Sequence, residues 1–362
     1  LTPHVALRSI GTTEATVRLL VTKEDVSVTA EFRSLDLDQD WETLPSRAAL
    51  LAERGARELD APPSPAVQPP WDIPDLIAIT TAVSGRVARE SDTGAPASYP
   101  LDFDGFQRAA IEVLEAGACG VHIDFGGIPA IQESGLSVSE SYATLIPAIR
   151  AATDLDCVFD CNVLRGENFA ENVYPITAGF AETVPMAPNF PRPWMEAVAQ
   201  VVQREGARLF FSIHSTAEVD LANRFILEHG LAPTPACWLI LIGYQYDDAT
   251  DRLATYLAHP KAMLTELIQV VDRIREIDPD GFITVCAAGR AGHYLATAGM
   301  LLGLHVRVGT EDTVYRFPHR DELVEGNGEM VERVVATAKA LGRTPATPEQ
   351  YRQMIGLPAR TS

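Results

Sequence analysis

Three observations predict an α/β fold, a (β/α)8 TIM barrel carrying a small β-rich N-terminal appendage. From Asp75 onward, eight short apolar runs alternate with segments of helical periodicity. That pattern implies parallel strands joined by helical crossovers, and eight is the number that closes a barrel. Before Asp75 the pattern differs, with short alternating runs and then a cluster of prolines. The 362 residues suit a barrel plus an appendage better than one small domain. A doubly wound open sheet is the competitor. However, no Gly-x-Gly-x-x-Gly follows the first strand, and Ser84-Gly85-Arg86 is too little for a dinucleotide site.

Within residues 1–60, His4 to Ile10, Ala15 to Thr22 and Val26 to Phe32 read as strands. Ser46 to Leu59 reads as an amphipathic helix, with Ser46 as cap and Ala49, Leu50, Glu53 and Arg57 at helical spacing. Residues 61–74 hold Pro62, Pro63, Pro65, Pro69, Pro70 and Pro74, a stiff extended linker. The barrel is expected over 75–320. Its strands are placed at Leu76 to Val83, Gly120 to Phe125, Cys157 to Asn162, Thr183 to Met186, Arg208 to Ile213, Trp238 to Ile242, Phe282 to Ala287 and His305 to Val308. Helical patterns between them include Phe103 to Glu115, Ser139 to Ala151, Trp194 to Arg204, Glu218 to Glu228, Lys261 to Ile277 and Tyr294 to Leu302. Residues 321–362 are expected as a C-terminal helical extension, with helices Glu329 to Leu341 and Pro348 to Ile355, packed across the barrel or a neighbouring subunit.

Composition narrows the function classes. Lys and Arg number 29 against 49 Asp and Glu, a net charge of −20. That balance argues against nucleic-acid and anionic-membrane surfaces. A small anionic substrate stays compatible, because a few local Arg residues outweigh a distant, screened acidic surface. Cys119, Cys157, Cys161, Cys237 and Cys286 form no C-x-x-C pair and lie in or beside apolar runs. Reduced thiols in a cytoplasmic protein are the expectation. No run of eighteen or more apolar residues is present. The opening Leu-Thr-Pro-His has neither the charged nor the apolar region of a signal peptide.

Candidate chemistry concentrates at three strand ends. His305 to Val308 turns at Gly309 and then sets Glu311 and Asp312 side by side, with Arg307 four residues before Glu311. Barrel chemistry sits at the C-terminal ends of strands, and an Arg so placed can pair with a carboxylate. An exposed acidic turn is the competing reading. On the second strand, His122 and Asp124 are two residues apart and face the same way, with Gly126-Gly127 following. With Glu311 they make a candidate three-ligand divalent metal site. The competing reading is a His hydrogen-bonded to Asp in a polar barrel core. The seventh strand ends in Gly289-Arg290-Ala291-Gly292 before a helix, which suits either an anion site or a solvated turn.

Several of these residues together resemble one known family, the β-keto acid cleavage enzymes, whose type member is 3-keto-5-aminohexanoate cleavage enzyme. The resemblance rests on Gly289-Arg290, Gly303 and above all His305-Val306-Arg307-Val308-Gly309-Thr310-Glu311-Asp312. Supporting pieces are Ile79-Thr80-Thr81-Ala82-Val83-Ser84-Gly85, Ala116-Gly117-Ala118, Asn189-Phe190, Asn327 and the tail from Ala346 to Leu357. It implies an oligomeric barrel that binds zinc through two His and one Glu. The implied reaction converts a β-keto acid and acetyl-CoA into acetoacetate and a new CoA thioester. By position it assigns His122 and Glu311 to the metal, and Arg307 with Asp312 to forming the substrate carbanion.

The departures from the family pattern concern the rest of the shell. The second His is Asp124, an expected Glu is Val87, an expected Ser is Cys161 and an expected Thr is Ala187. Asn162-Val163-Leu164-Arg165-Gly166 replaces a Gly-rich loop. The resulting expectation is a metal-dependent carbon–carbon lyase or acyltransferase on a small keto acid, with acetyl-CoA as co-substrate. Arg307, Asp312 and Cys161 are its catalytic candidates; Arg290, Asn162 and Asn189 would bind substrate; His122, Asp124 and Glu311 would hold the ion. A carboxylate in place of an imidazole shifts the expected metal from zinc toward Mn2+, Mg2+ or Fe2+. The alternatives are an aldol-type lyase or decarboxylase without CoA, and a non-catalytic binding barrel.

Overall fold

The computed structural model describes residues 70–84, 94, 96, 98–125, 131, 133–164, 166–247, 252–255 and 260–359, together with Ser46, Ala49 and two N-terminal strands. The chain forms two compact units, Leu1–Pro70 and Trp71–Ser362. In the first, Glu14–Leu20 pairs antiparallel with Ser27–Arg33, close to two of the three strands expected there. The strand expected at His4 to Ile10 and most of the proline linker lie outside the described residues, as does the helix from Ser46 apart from its expected cap, where the Ala49 N–H donates to Ser46 Oγ at 3.2 Å.

The second unit is a closed parallel barrel of eight strands surrounded by helices. Its strands are β1 (Ile79–Ala82), β2 (Gly120–Ile123), β3 (Val158–Cys161), β4 (Thr183–Met186), β5 (Arg208–Ile213), β6 (Cys237–Ile242), β7 (Phe282–Ala287) and β8 (His305–Val308). β8 pairs with β1, setting Arg307 opposite Thr80 and closing the ring. The helices are α1 (Phe103–Glu115), α2 (Val138–Ala152), α3 (Phe169–Thr177), α4 (Arg192–Glu205), α5 (Thr216–Phe225), α6 (Pro260–Ile277), α7 (Gly292–Leu301) and α8 (Asn327–Ala340). α8 packs against both α7 and α1, which completes the outer ring.

The strands read as nearly continuous apolar runs because both of their faces are buried. Val121, Ile123, Phe159, Cys161, Phe211 and Ile213 point outward into the layer shared with the helices. Val158, Phe210, Leu239 and Phe282 point inward and fill the lower barrel. Helix starts follow local capping chemistry. Asp102 accepts from the Gly105 N–H, Ser137 and Glu140 form a capping box, and Asn168 accepts from the Glu171 N–H.

Three elements were not expected. α3 is short and carries Pro175 near its end, which breaks the helical signature in the sequence. An antiparallel hairpin, Tyr244–Asp247 with Arg252–Thr255, follows β6. The run from Leu76 divides, so that Leu76–Ile77 pairs with Thr344–Pro345 rather than joining the barrel.

The tail packs across the barrel's N-terminal end. Its last helix, Pro348–Met354, starts at a Thr347/Gln350 capping box. Tyr351 enters the barrel floor with its ring 5.8 Å from that of Phe282. Fully buried Arg352 binds Glu182, Asp156 and the Cys157 carbonyl.

Candidate metal and catalytic centre

At the upper end of the barrel the inward layer turns polar. β2 and β3 pair so that His122 lies beside Asp160. The His122 Nδ1–H donates to Asp160 Oδ2 at 2.7 Å, and the Thr183 hydroxyl donates to Asp160 Oδ1 at 2.8 Å. A carboxylate can only accept, so Asp160 fixes the tautomer and leaves Nε2 to face the centre of the site. There His122 Nε2 stands 3.6 Å from Glu311 Oε2. One ligand atom from each of His122, Asp124 and Glu311 lies within 4.8 Å of the others. Asn162 Nδ2 donates to Asp124 Oδ2 at 3.1 Å, and Ser84 holds the Asp124 carbonyl at 3.1 Å.

The turn after β8 places the two acids. Gly309 has φ +155°, and a Cβ there would stand 2.0 Å from the Ala82 carbonyl oxygen. Only glycine lets the chain pass so close to β1. Glu311 N–H then donates to the Ala82 carbonyl at 3.1 Å. Next to it, the Thr310 hydroxyl donates to the Val83 carbonyl and its N–H to Asn327 Oδ1, each at 2.8 Å. Asn327, at the start of α8, also donates to the Val83 carbonyl. Glu311 and Asp312 are therefore fastened to the end of β1.

Arg307 grips Asp312 with two hydrogen bonds, 2.7 Å from Nη2 and 3.2 Å from Nε, and reaches Glu311 Oε1 at 3.4 Å. Asp312 is only 1% exposed. Burial opposes the Arg307 charge, but Asp312 and Glu311 outweigh it and keep the guanidinium protonated. Burial pushes the Glu311 carboxyl up to about 7 against the opposing pull of Arg307 and His122. His122 loses basicity through burial and regains more from Glu311 and Asp160, so it ends above the ordinary imidazole range. Glu311 Oε2 is buried with no hydrogen-bond partner. Such an atom costs free energy unless a cation or proton meets it. An imidazole nitrogen and two carboxylates, one of which carries this orphaned oxygen, fit a divalent ion. The His122–Asp160 contact is the outer carboxylate that metal-bound His residues usually carry.

The structure thus brings together His122, Asp124, Glu311, Arg307 and Asp312, with Asn162 behind Asp124. It does not bring the other three candidates there. Cys161 follows Asp160 by one residue, so strand alternation turns it outward. It is fully buried between barrel and helices, and burial holds its thiol well above the ordinary range. Arg290 bonds to the Arg320 carbonyl and to Asp321, and stacks 4.1 Å above the Tyr315 ring. Asn189 is exposed and approaches Glu218 Oε1 at 3.4 Å. Val87, Gly126-Gly127 and Arg165 fall outside the described residues. Asp160, Thr183 and Cys286 were not expected. Cys286 is inward-facing on β7, and its thiol, raised mainly by burial, bonds to Asp312. The register of β2 against β3 was the one signal that could have revealed Asp160.

Comparison with known proteins bears on this arrangement. The family model of the beta-keto acid cleavage enzyme matches residues 77–357. The chain belongs to that family. The 3-keto-5-aminohexanoate cleavage enzyme of Fusobacterium nucleatum is 47% identical over 74 residues, 20% of this chain and 26% of that protein. Its counterpart in Acetoanaerobium sticklandii is 40% identical over 84 residues, 23% of this chain and 30% of that protein. The chain therefore aligns with less than a third of either. The 3-dehydrocarnitine:acetyl-CoA trimethylamine transferase of Rhizobium meliloti is 24% identical over 282 residues, 75% of this chain and 82% of that protein. Among solved structures, ObcA with a C4-CoA adduct and oxalate superposes with a TM-score of 0.57 at 18% identity, covering 72% of this chain and 68% of that one. ObcA with oxaloacetate gives 0.56 at 19%, covering 72% and 67%. At these identities the structural likeness concerns the fold.

Proposed function

We propose that the chain is a metal-dependent enzyme that cleaves a small β-keto acid by acyl transfer, with acetyl-CoA as co-substrate. The observation that carries this reading is the buried Glu311 oxygen, without a hydrogen-bond partner, between His122 Nε2 and the Arg307–Asp312 pair. His122, Asp124 and Glu311 would hold a divalent ion, which when bound would supply Lewis acidity toward a keto oxygen. Around it, Asp160 and Thr183 keep His122 in one tautomer, and Asn162 steadies Asp124. Asp312 accepts the proton from the carbon next to the carbonyl, and Arg307 stabilises the negative charge left behind. Two carboxylates beside one imidazole make the site hard, favouring Mn2+, Mg2+ or Fe2+ over zinc. The net charge of −20 fits a partner list of small molecules without nucleic acid or membrane. No helix among the described residues is long and apolar enough to cross a membrane. The five buried free cysteines fit a reducing cytoplasm, and family membership fits a homo-oligomer.

The test is acetoacetate formation from a panel of small β-keto acids, with and without acetyl-CoA, after loading with Mn2+ or Zn2+. Product that requires both acetyl-CoA and metal supports the proposal. Cleavage without acetyl-CoA contradicts the acyl-transfer part of it.

A further inference from the structure

At the opposite end of the barrel, where the strands begin, lies a cavity of about 650 Å³. Three of its walls are first residues of strands: Arg208 of β5, Phe282 of β7 and His305 of β8. His305 is 7% exposed. Its Nδ1 accepts the Ala78 backbone N–H at 3.1 Å, and Phe282 stacks on the ring at 4.0 Å. A nitrogen that accepts from an amide carries no proton, so the proton of the neutral ring sits on Nε2. Nε2–H is thus a fixed donor, and among the described residues no acceptor is bonded to it.

The cations around this cavity have a second peculiarity. Arg208 bonds to the Pro235 carbonyl at 2.6 Å, and its Nε is buried with no partner. Arg275 bonds to the Pro279 and Gly281 carbonyls, each at 2.7 Å. Behind the wall, Arg343 bonds to the carbonyls of Pro74, Leu76 and Leu304. None of the three has a carboxylate within ion-pair distance among the described residues. In a chain with 49 acids to 29 bases, these guanidiniums are held by carbonyl oxygens and, for Arg208, by the Cys237 sulfur as well; Asp278 and Asp280 act on Arg275 across space only, so hydrogen-bonding cations remain gathered at one place. The acids on the lining, Asp72 and Asp280, are exposed.

We infer that this cavity is a binding site for a small oxyanion, a carboxylate or phosphate head that meets His305 Nε2–H, Arg208 and Arg275. Phe282, Leu304 and Met354 on the same lining give it room for a short apolar body. The site is separate from the metal centre and does not rest on the proposed reaction. In a barrel, the strand-start face usually serves stability rather than chemistry, so an effector or stabilising ligand is the occupant this place suits.

The experiment uses the full chain with 15N-labelled histidine, and the His305 signal is assigned by its loss in His305→Asn. Inorganic phosphate and hexanoate are the probes. Either should shift the His305 Nε2 resonance saturably. Arg275→Gln should weaken that binding at least about tenfold, or ~1.4 kcal/mol, measured at a temperature where far-UV circular dichroism shows the variant folded, since the substitution also removes two carbonyl contacts. Response to phosphate alone identifies a free inorganic oxyanion. Response to hexanoate alone identifies an apolar carboxylate. The inference is overturned if neither probe shifts His305, if Arg275→Gln binds as wild type does, or if Glu311→Gln abolishes the shift instead.

Discussion

Replacing Asp160 probes the support of the metal site without touching a ligand. The wild-type carboxylate accepts from His122 Nδ1–H at 2.7 Å and from the Thr183 hydroxyl at 2.8 Å. In Asp160→Asn the amide oxygen still accepts from Nδ1–H, and the Thr183 hydroxyl can turn to accept from the amide nitrogen. Shape and tautomer survive, and only the negative charge behind the imidazole goes. In Asp160→Ala the acceptor itself is lost, so His122 can rotate or change tautomer. Outer-shell changes cost between about tenfold and about 100-fold in metal affinity. The Asn variant should lie near the first figure and the Ala variant near the second, about 1.4 and 2.7 kcal/mol. Chelator competition with Mn2+ and Zn2+ on the full chain measures both, and far-UV circular dichroism confirms the fold. An Ala variant that binds metal within about twofold of wild type refutes the reasoning.

Three further outcomes are expected. Arg307→Lys keeps the charge but loses the fork that holds Asp312, so kcat should fall roughly 100-fold or more; unchanged turnover of a β-keto acid would remove Arg307 from the chemistry. Gly309→Ala puts a Cβ at 2.0 Å from the Ala82 oxygen at φ +155°, and denaturant unfolding should show a loss of roughly 3 kcal/mol or more; a wild-type midpoint would mean the turn differs. Burial, together with Arg343 and Arg275, lowers His305 from 6.5 to about 3, so between those values the unfolded chain binds a proton that the folded chain does not. Stability from this group is present above pH 6.5 and falls as the pH drops toward 3, by at most ~1.4 kcal/mol per pH unit. His305→Asn keeps an acceptor for Ala78 and should flatten that part of the pH–stability curve, and an unaltered acid slope would show that His305 does not supply it.

The barrel was legible because its strands are short, apolar on both faces and separated by helices with caps. Thr183–Met186, Arg208–Ile213, Phe282–Ala287 and His305–Val308 lie where the sequence puts them. The Arg307–Asp312 grip was legible too, since one Gly turn fixes both partners. Asp160 was hidden because Val-Phe-Asp-Cys reads as a buried run with one odd residue. Which of its members face inward depends on pairing with His122, a non-local fact. The same parity turned Cys161 away from the site. Arg290 lies where the strand-end argument puts it, but its direction is set by Asp321 and Tyr315, some thirty residues on, and no local pattern encodes that.

The most direct test of the account is a divalent-metal titration of the chelator-stripped full chain. Elemental analysis and isothermal calorimetry would compare wild type with His122→Ala and Glu311→Gln. The account predicts one tightly bound ion per chain, with Mn2+ or Fe2+ competing effectively against Zn2+, and loss of that ion in both variants. A wild-type chain that takes up no divalent ion, or variants that bind it unchanged, would contradict the metal centre and the mechanism built around it.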